Sequence, residues 1–141
     1  MKAVVLREFG GPEVLRLEDV ATPTPAEGQV LIQVHAVSVN RTLDLQVRKD
    51  GGNYGVTLPL VLGVDPSGVV VETGPDVERP KVGERVTTFP FYPCGRCPNC
   101  RVGKQCELSR MIGVHSWGGY AEYMLAPAAN CIPIPDGVDF A

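Results

Sequence analysis

Four of the five cysteines, Cys94, Cys97, Cys100 and Cys106, lie within thirteen positions as a C-x2-C-x2-C-x5-C run. Tetrahedral zinc takes four thiolates at about 2.3 Å, and a C-x2-C turn places two sulfurs on one side of the ion. Pro93, Gly95, Pro98 and Gly103 supply the tight turns that such a loop requires. Four thiolates and one Zn²⁺ add two negative charges to a formal net charge of −3, and Arg96, Arg101 and Lys104 offset part of them. With cysteine at all four positions, no coordination site remains for water or substrate, so the pattern indicates a structural metal rather than a catalytic one. Two rivals stand beside zinc. An iron–sulfur cluster also uses C-x2-C-x2-C, but the bacterial run closes with C-x3-C-P, whereas here the last gap is five residues and Glu107 follows. Disulfides or free thiols form the third reading, and a reducing cytosol disfavours the first of these. Cys131, between Asn130 and Ile132, reads as a small apolar strand residue.

The elements that must position this cluster are short. Sixteen glycines and 13 prolines make up about a fifth of the 141 residues, against roughly 12% on average, so the chain turns often. Strands are predicted at Val4–Leu6, Glu13–Val20, Gln29–Val39, Gly68–Glu72, Arg85–Phe89 and Tyr120–Leu125, with an edge strand at Ile132–Pro135, where proline cannot donate to a central ladder. In the longest of them Val30, Ile32, Val34 and Ala36 share one face, and Gln33 and His35 the other. His35 reads as a surface or bridging residue before it reads as a ligand. One helix is predicted over Thr42–Lys49, with Thr42 as its cap, Asp44 in the first turn, Arg48 and Lys49 in the last, and Gly51-Gly52 as its stop. Seven or so short strands indicate an all-β barrel or sandwich in one domain. Thirteen Lys+Arg against 16 Asp+Glu argue against a nucleic-acid or anionic-membrane partner. No apolar run approaches the roughly 18 residues of a membrane span, and Arg7-Glu8 interrupts the N-terminal apolar stretch too early for a signal peptide. A cytoplasmic location is expected.

Taken in order, several segments resemble the N-terminal GroES-like catalytic domain of the medium-chain dehydrogenase/reductases, the superfamily of zinc alcohol dehydrogenases and quinone oxidoreductases. They are Met1–Val5, Gly11–Leu15, Gly28–Val34, Pro59–Gly63, Val82–Val86, the cysteine run, Gly118–Tyr123 and Ile134–Gly137. The resemblance implies a mainly β, partly open GroES-like barrel over residues 1–141, with short helices and a four-cysteine zinc lobe at 93–107. That lobe usually has seven residues before its last cysteine; this one has five. The alcohol dehydrogenases hold a second, catalytic zinc through a cysteine just after the long strand and a histidine after the glycine of Pro-x-x-x-Gly. Here those regions read Val39-Asn40-Arg41 and Gly63-Val64-Asp65, and valine cannot coordinate a metal.

What remains resembles the quinone oxidoreductase branch, in which an Asn and an Asp-x-Tyr-x-Arg segment line the site. Asn40, Asp44 and Arg48 match, Gln46 replaces the tyrosine, and one extra residue separates Asn40 from Asp44. Adding hydride to a carbonyl, enone or quinone leaves charge on oxygen that hydrogen-bond donors must meet, and Asn40 and Gln46 are the candidates. Equally, Asn40 can stabilise a strand-to-helix turn and Gln46 can be a solvated helix residue. Asp65, before Pro66, is a turn carboxylate or a general base. No G-x-G-x-x-G lies between a strand and a helix. The expected NAD(P) site and its Rossmann-type domain are therefore absent from this chain, which reads as the substrate-side domain of an NAD(P)H-dependent oxidoreductase, inactive alone. Two alternatives are a zinc alcohol dehydrogenase domain with Asp65 and His35 as replacement ligands, and a stand-alone zinc-stabilised binding or assembly module. Homo-oligomerisation stays open.

Overall fold

The computed structural model describes every residue from Met1 to Ala141. Strands β1 (Lys2–Leu6), β2 (Leu15–Asp19) and β4 (Leu60–Val61) form one antiparallel sheet in the order β2-β1-β4. A five-stranded antiparallel sheet runs β10-β6-β5-β3-β9, from β10 (Cys131–Pro133), β6 (Arg85–Thr88), β5 (Pro66–Thr73), β3 (Gln29–Val37) and β9 (Tyr123–Pro127). A small ribbon pairs β7 (Phe91–Tyr92) with β8 (Arg110–Met111). Two helices complete the fold, α1 (Leu43–Asp50) and the single turn α2 (Pro98–Arg101). The sheets stay open, as expected for a partly open barrel, and β10, which contains Pro133, is an edge strand. Neither helix is long and apolar enough to cross a membrane.

Strand boundaries differ from the sequence reading, and β3 ends at Val37 rather than Val39. The strand expected from Glu13 begins at Leu15, because Pro12 opens a 3-10 turn over Pro12–Val14. The strand expected from Tyr120 begins at Tyr123. The Gly118–Tyr120 backbone instead donates to Val61 O, Gly63 O and Leu62 O at 2.7–2.9 Å, and Val4 N–H donates to Tyr120 O at 2.8 Å. This crossing segment joins the two larger sheets.

The core falls into two main clusters. Val30, Ile32, Val70, Val86, Met124 and Ala126 from the five-stranded sheet pack with Ile112. Leu6, Leu60, Leu62 and Val64 pack with Val47 of α1 and with Met111 and Val114. Leu31 is buried beside Ile32, so both faces of β3 are covered at its start rather than one. The β3–β5 register slips between Val34 and Ala36, which leaves His35 out of the ladder. At Gly68 the strands are so close that a Cβ would stand 2.0 Å from Gln33 O. Gly68→Ala is therefore expected to destabilise the domain by about 2 kcal/mol, read as a lower urea midpoint with an unchanged slope.

Candidate functional site

The ribbon β7–β8 and helix α2 carry the cysteine lobe. Cys97 caps α2, and its sulfur accepts the Cys100 N–H at 3.4 Å. Cys94 Sγ accepts from Cys97 N–H at 3.4 Å, and Cys106 Sγ accepts from Cys94 N–H at 3.3 Å. Sulfur–sulfur separations are 3.4 Å for Cys97–Cys100, 3.9 Å for Cys97–Cys106 and 4.0 Å for Cys94–Cys100, with all four sulfurs within 4.8 Å of one another. A tetrahedron with Zn–S bonds of about 2.3 Å has edges of about 3.8 Å. The donor set thus fits one zinc ion and leaves no room for a cluster of several metals.

Backbone amides aimed at the sulfurs favour thiolate. The Arg96 and Cys97 N–H groups draw Cys94 down to about 6, and the Cys100 N–H lowers Cys97. Cys100 is pushed up to about 12, first by the adjacent Cys97 sulfur. Asn99, which the spacing did not single out, closes the shortened last gap: its Nδ2 donates to Gln105 O at 3.1 Å and to Glu107 Oε1 at 3.0 Å. Cys131 stands apart, half-buried beside Pro127 O, and burial raises it to about 11. No cysteine is in a disulfide.

The second candidate site lies where β3 runs into α1. Thr42 does not cap this helix; it is itself helical (φ −85°, ψ −56°) and makes no side-chain cap. Asn40 does so from two residues earlier, its Oδ1 accepting the Thr42 and Leu43 N–H groups at 3.1 and 2.9 Å. The other end of the Asn40 amide donates from Nδ2 to Asp65 Oδ2 at 3.0 Å, and Ser38 Oγ donates to the same oxygen at 3.1 Å. Asn40 and Asp65, 25 positions apart, therefore meet. Gln46 does not join them. It is exposed on α1 and accepts from Tyr54 Oη at 3.3 Å. Arg48 holds the loop before β2 by donating to Gly10 O at 2.7 Å. His35 stacks on Phe140 with ring centroids 4.4 Å apart. The four cysteines are the only set of three or more His, Cys, Asp or Glu groups close enough to share an ion.

Asp44 organises this region. Its sequence position is that of a solvent-facing first-turn acid, yet it is only 2% exposed. Its carboxylate accepts the Asn40 N–H at 2.8 Å, the Gly63 N–H at 3.0 Å and the Tyr120 hydroxyl at 2.9 Å. One side chain thereby ties together the turn that carries Asn40, the turn that carries Asp65 and the Gly118–Tyr120 crossing segment. Burial raises the Asp44 pKa despite these donors, and burial together with the Asp44 charge raises that of Tyr120. The Gly63 turn needs a positive φ of +99°, and a Cβ there would stand 2.8 Å from Tyr120 N. No local signal announced the role of Asp44 beyond an acid beside an apolar helix face. An open cleft of about 600 Å³ lies alongside, with Ser38 and Asp65 at one end and Ile132, Ile134, Val138 and Phe140 along a wall.

Open antiparallel sheets, short helices and an excursion holding four thiols define a GroES-like β domain with a metal lobe. The family model for the alcohol dehydrogenase GroES-like domain matches residues 26–136. The chain belongs to that family, the N-terminal domain of the zinc alcohol dehydrogenase superfamily. It is 40% identical over 134 residues to an NAD-dependent alcohol dehydrogenase of Sulfolobus acidocaldarius, a match that covers 90% of this chain and 38% of that protein. A solved structure of an NAD-dependent alcohol dehydrogenase superposes with a TM-score of 0.90 at 42% identity, covering 99% of this chain and 41% of the other. The cobalt- and zinc-bound thermostable alcohol dehydrogenase from Pyrobaculum aerophilum superposes at 0.85 with 35% identity, covering 99% and 42%. The chain thus spans about two fifths of the length of these relatives.

Proposed function

We propose that this chain is the substrate-side domain of an NAD(P)-dependent oxidoreductase. In this reading one structural zinc would sit in the 93–107 lobe, and hydride transfer would proceed without a metal on the substrate oxygen. The kinship with NAD-dependent alcohol dehydrogenases supports the reaction class. The observation that carries the metal-free reading is the Asn40–Asp65 hydrogen bond beside Val64, which is fully buried in the apolar core. Where the superfamily's catalytic zinc would find cysteine and histidine, this chain has an amide bonded to a carboxylate and a valine. Cys94, Cys97, Cys100 and Cys106 would hold the structural zinc, and four thiolates suit a reducing, cytoplasmic setting.

A nicotinamide held by a second, Rossmann-type domain supplies or accepts the hydride. This domain's own contribution is positional and electrostatic. Asn40 Nδ2 spends one proton on Asp65 and keeps a second for a substrate carbonyl oxygen, in the manner of an oxyanion donor. Asp65 holds that amide in orientation, and its own unbonded oxygen can accept a proton from a substrate hydroxyl when the reaction runs toward oxidation. The substrate class is a carbonyl, enone or quinone, or the corresponding alcohol.

The test uses the full-length protein. Metal analysis should find one zinc per chain, and Asn40→Leu should lower kcat by about a hundredfold with KM little changed. Two zinc ions per chain, or wild-type kcat in the variant, would overturn the metal-free reading.

A further inference from the structure

A second concavity lies apart from the cleft beside Asp65 and shares none of its lining residues. It runs along the Ser116–Gly118 stretch and Ala121 to β9, the unpaired edge of the five-stranded sheet. Its volume is about 290 Å³, at the small end of the range for small-molecule sites and suited to a ligand of one or two rings. Strand β9 builds one wall by its period: Met124 and Ala126 turn into the core, so Tyr123 and Leu125, half-buried, face the other way. Tyr92 of β7 and Trp117 add two more rings.

The lining has a definite chemistry. None of its residues carries a charged side chain, and the one formal charge, the Met1 ammonium, is spent on Val20 O at 2.8 Å. The Trp117 indole is held by its Nε1–H, which donates to Pro59 O at 3.1 Å. By contrast, the hydroxyls of Tyr92, Ser116 and Tyr123 bond no protein group. None of them is a buried orphan, since Thr88 Oγ1 alone has that status. All three oxygens therefore sit on water, which a ligand can displace if it returns a hydrogen bond. The three rings offer faces and edges for aromatic packing. An ion entering here would lose its hydration with no counter-charge in return.

We propose that this groove is a second ligand site, one that takes an uncharged aromatic molecule bearing a hydroxyl, of the phenol or aryl alcohol class. The ring packs on Trp117 and Tyr123, and the hydroxyl takes the place of water on the unspent side-chain hydroxyls. The site is independent of the proposed hydride-transfer reading, because it contains neither Asn40 nor Asp65 and needs no cofactor.

Trp117 is the single tryptophan of the chain, so its indole N–H gives one NMR signal that reports on this groove. In the zinc-loaded 141-residue chain at pH 7, 4-ethylphenol should shift that signal saturably. Ethylbenzene should bind at least fivefold more weakly, and 4-ethylbenzoate and 4-ethylbenzylammonium at least tenfold. Leu125→Glu, a change at the half-buried sheet edge, should reverse the order and favour the ammonium probe over the phenol. A Trp117 signal that 4-ethylphenol leaves unmoved, an ion or ethylbenzene bound as tightly as the phenol, or an order unchanged in Leu125→Glu would each overturn the inference. So would a signal that moves with protein concentration before any probe is added, since a second copy on the β9 edge would then fill the groove. The zinc count and the Asn40→Leu kinetics decide the hydride-transfer reading, and neither enters this readout.

Discussion

Cys97→Ser is expected to lose its zinc, from about one ion per chain to near none after dialysis against a chelator, and to lower Tm by about 12 °C. Cys97 is the most buried of the four cysteines, and its sulfur lies 3.4 Å from that of Cys100 and 3.9 Å from that of Cys106. It also caps α2, so the substitution strikes the metal and the turn together. Serine replaces a soft thiolate by a shorter, harder oxygen that zinc accepts poorly in a four-thiolate site. The lobe has little to fall back on: α2 is a four-residue turn with no buried apolar side chain, and the ribbon strands are two residues each. Metal binding in such a segment is folding free energy. A loss of about 4 kcal/mol corresponds to the stated shift for a domain of this size. Cys131→Ser serves as the control and should keep its zinc, because that thiol lies outside the cluster. Unchanged metal content and Tm in Cys97→Ser would disprove the four-cysteine assignment.

Asp44→Ala is expected to cost about 4 kcal/mol at neutral pH, the larger of two effects in the second region. The substitution leaves three buried donors without an acceptor, the Asn40 and Gly63 amides and the Tyr120 hydroxyl, and each orphaned donor costs about 1–3 kcal/mol. Tyr120→Phe removes only one donor and should cost about 1 kcal/mol. The pH dependence gives a second readout. Burial raises the folded-state pKa of Asp44 above the ordinary aspartate value of 3.8, so the folded protein binds this proton more tightly than the unfolded chain does. The proton-linked part of its contribution is complete below 3.8 and is lost as pH climbs through the raised folded value, while its three hydrogen bonds remain. Denaturant titrations from pH 3.5 upward should therefore show a downward slope in the wild type that is absent from Asp44→Ala. Equal slopes in the two proteins would mean that Asp44 is solvated in solution and does not tie the turns together.

The parts of this protein that could be read without coordinates are those in which all partners lie within a few residues. The four-cysteine lobe is the clearest, since a C-x2-C turn sets its own sulfur geometry, and the proline-bearing edge strand and the glycine stop of α1 follow the same logic. The helix start is less legible, because Thr42 has the local signature of a cap while Asn40, two residues earlier, is the side chain that accepts the Thr42 and Leu43 amides. Asn40 and Val64, at positions where the family resemblance would put ligands, are likewise legible in the sequence.

Tertiary structure decided the rest. Asp44 bonds Gly63 across 19 positions and Tyr120 across 76, and Asn40 reaches Asp65 across 25. A carboxylate in the first turn of a helix has the same local signature whether it faces water or three buried donors. Its burial depends on where β4, β5 and the Gly118–Tyr120 segment cross, and that is set by packing of distant strands. The four-cysteine lobe and the β architecture are legible locally, because they rest on turn chemistry and period. The fold alone decided which acid became the keystone and which the free acceptor in the cleft, because both depend on long-range contacts.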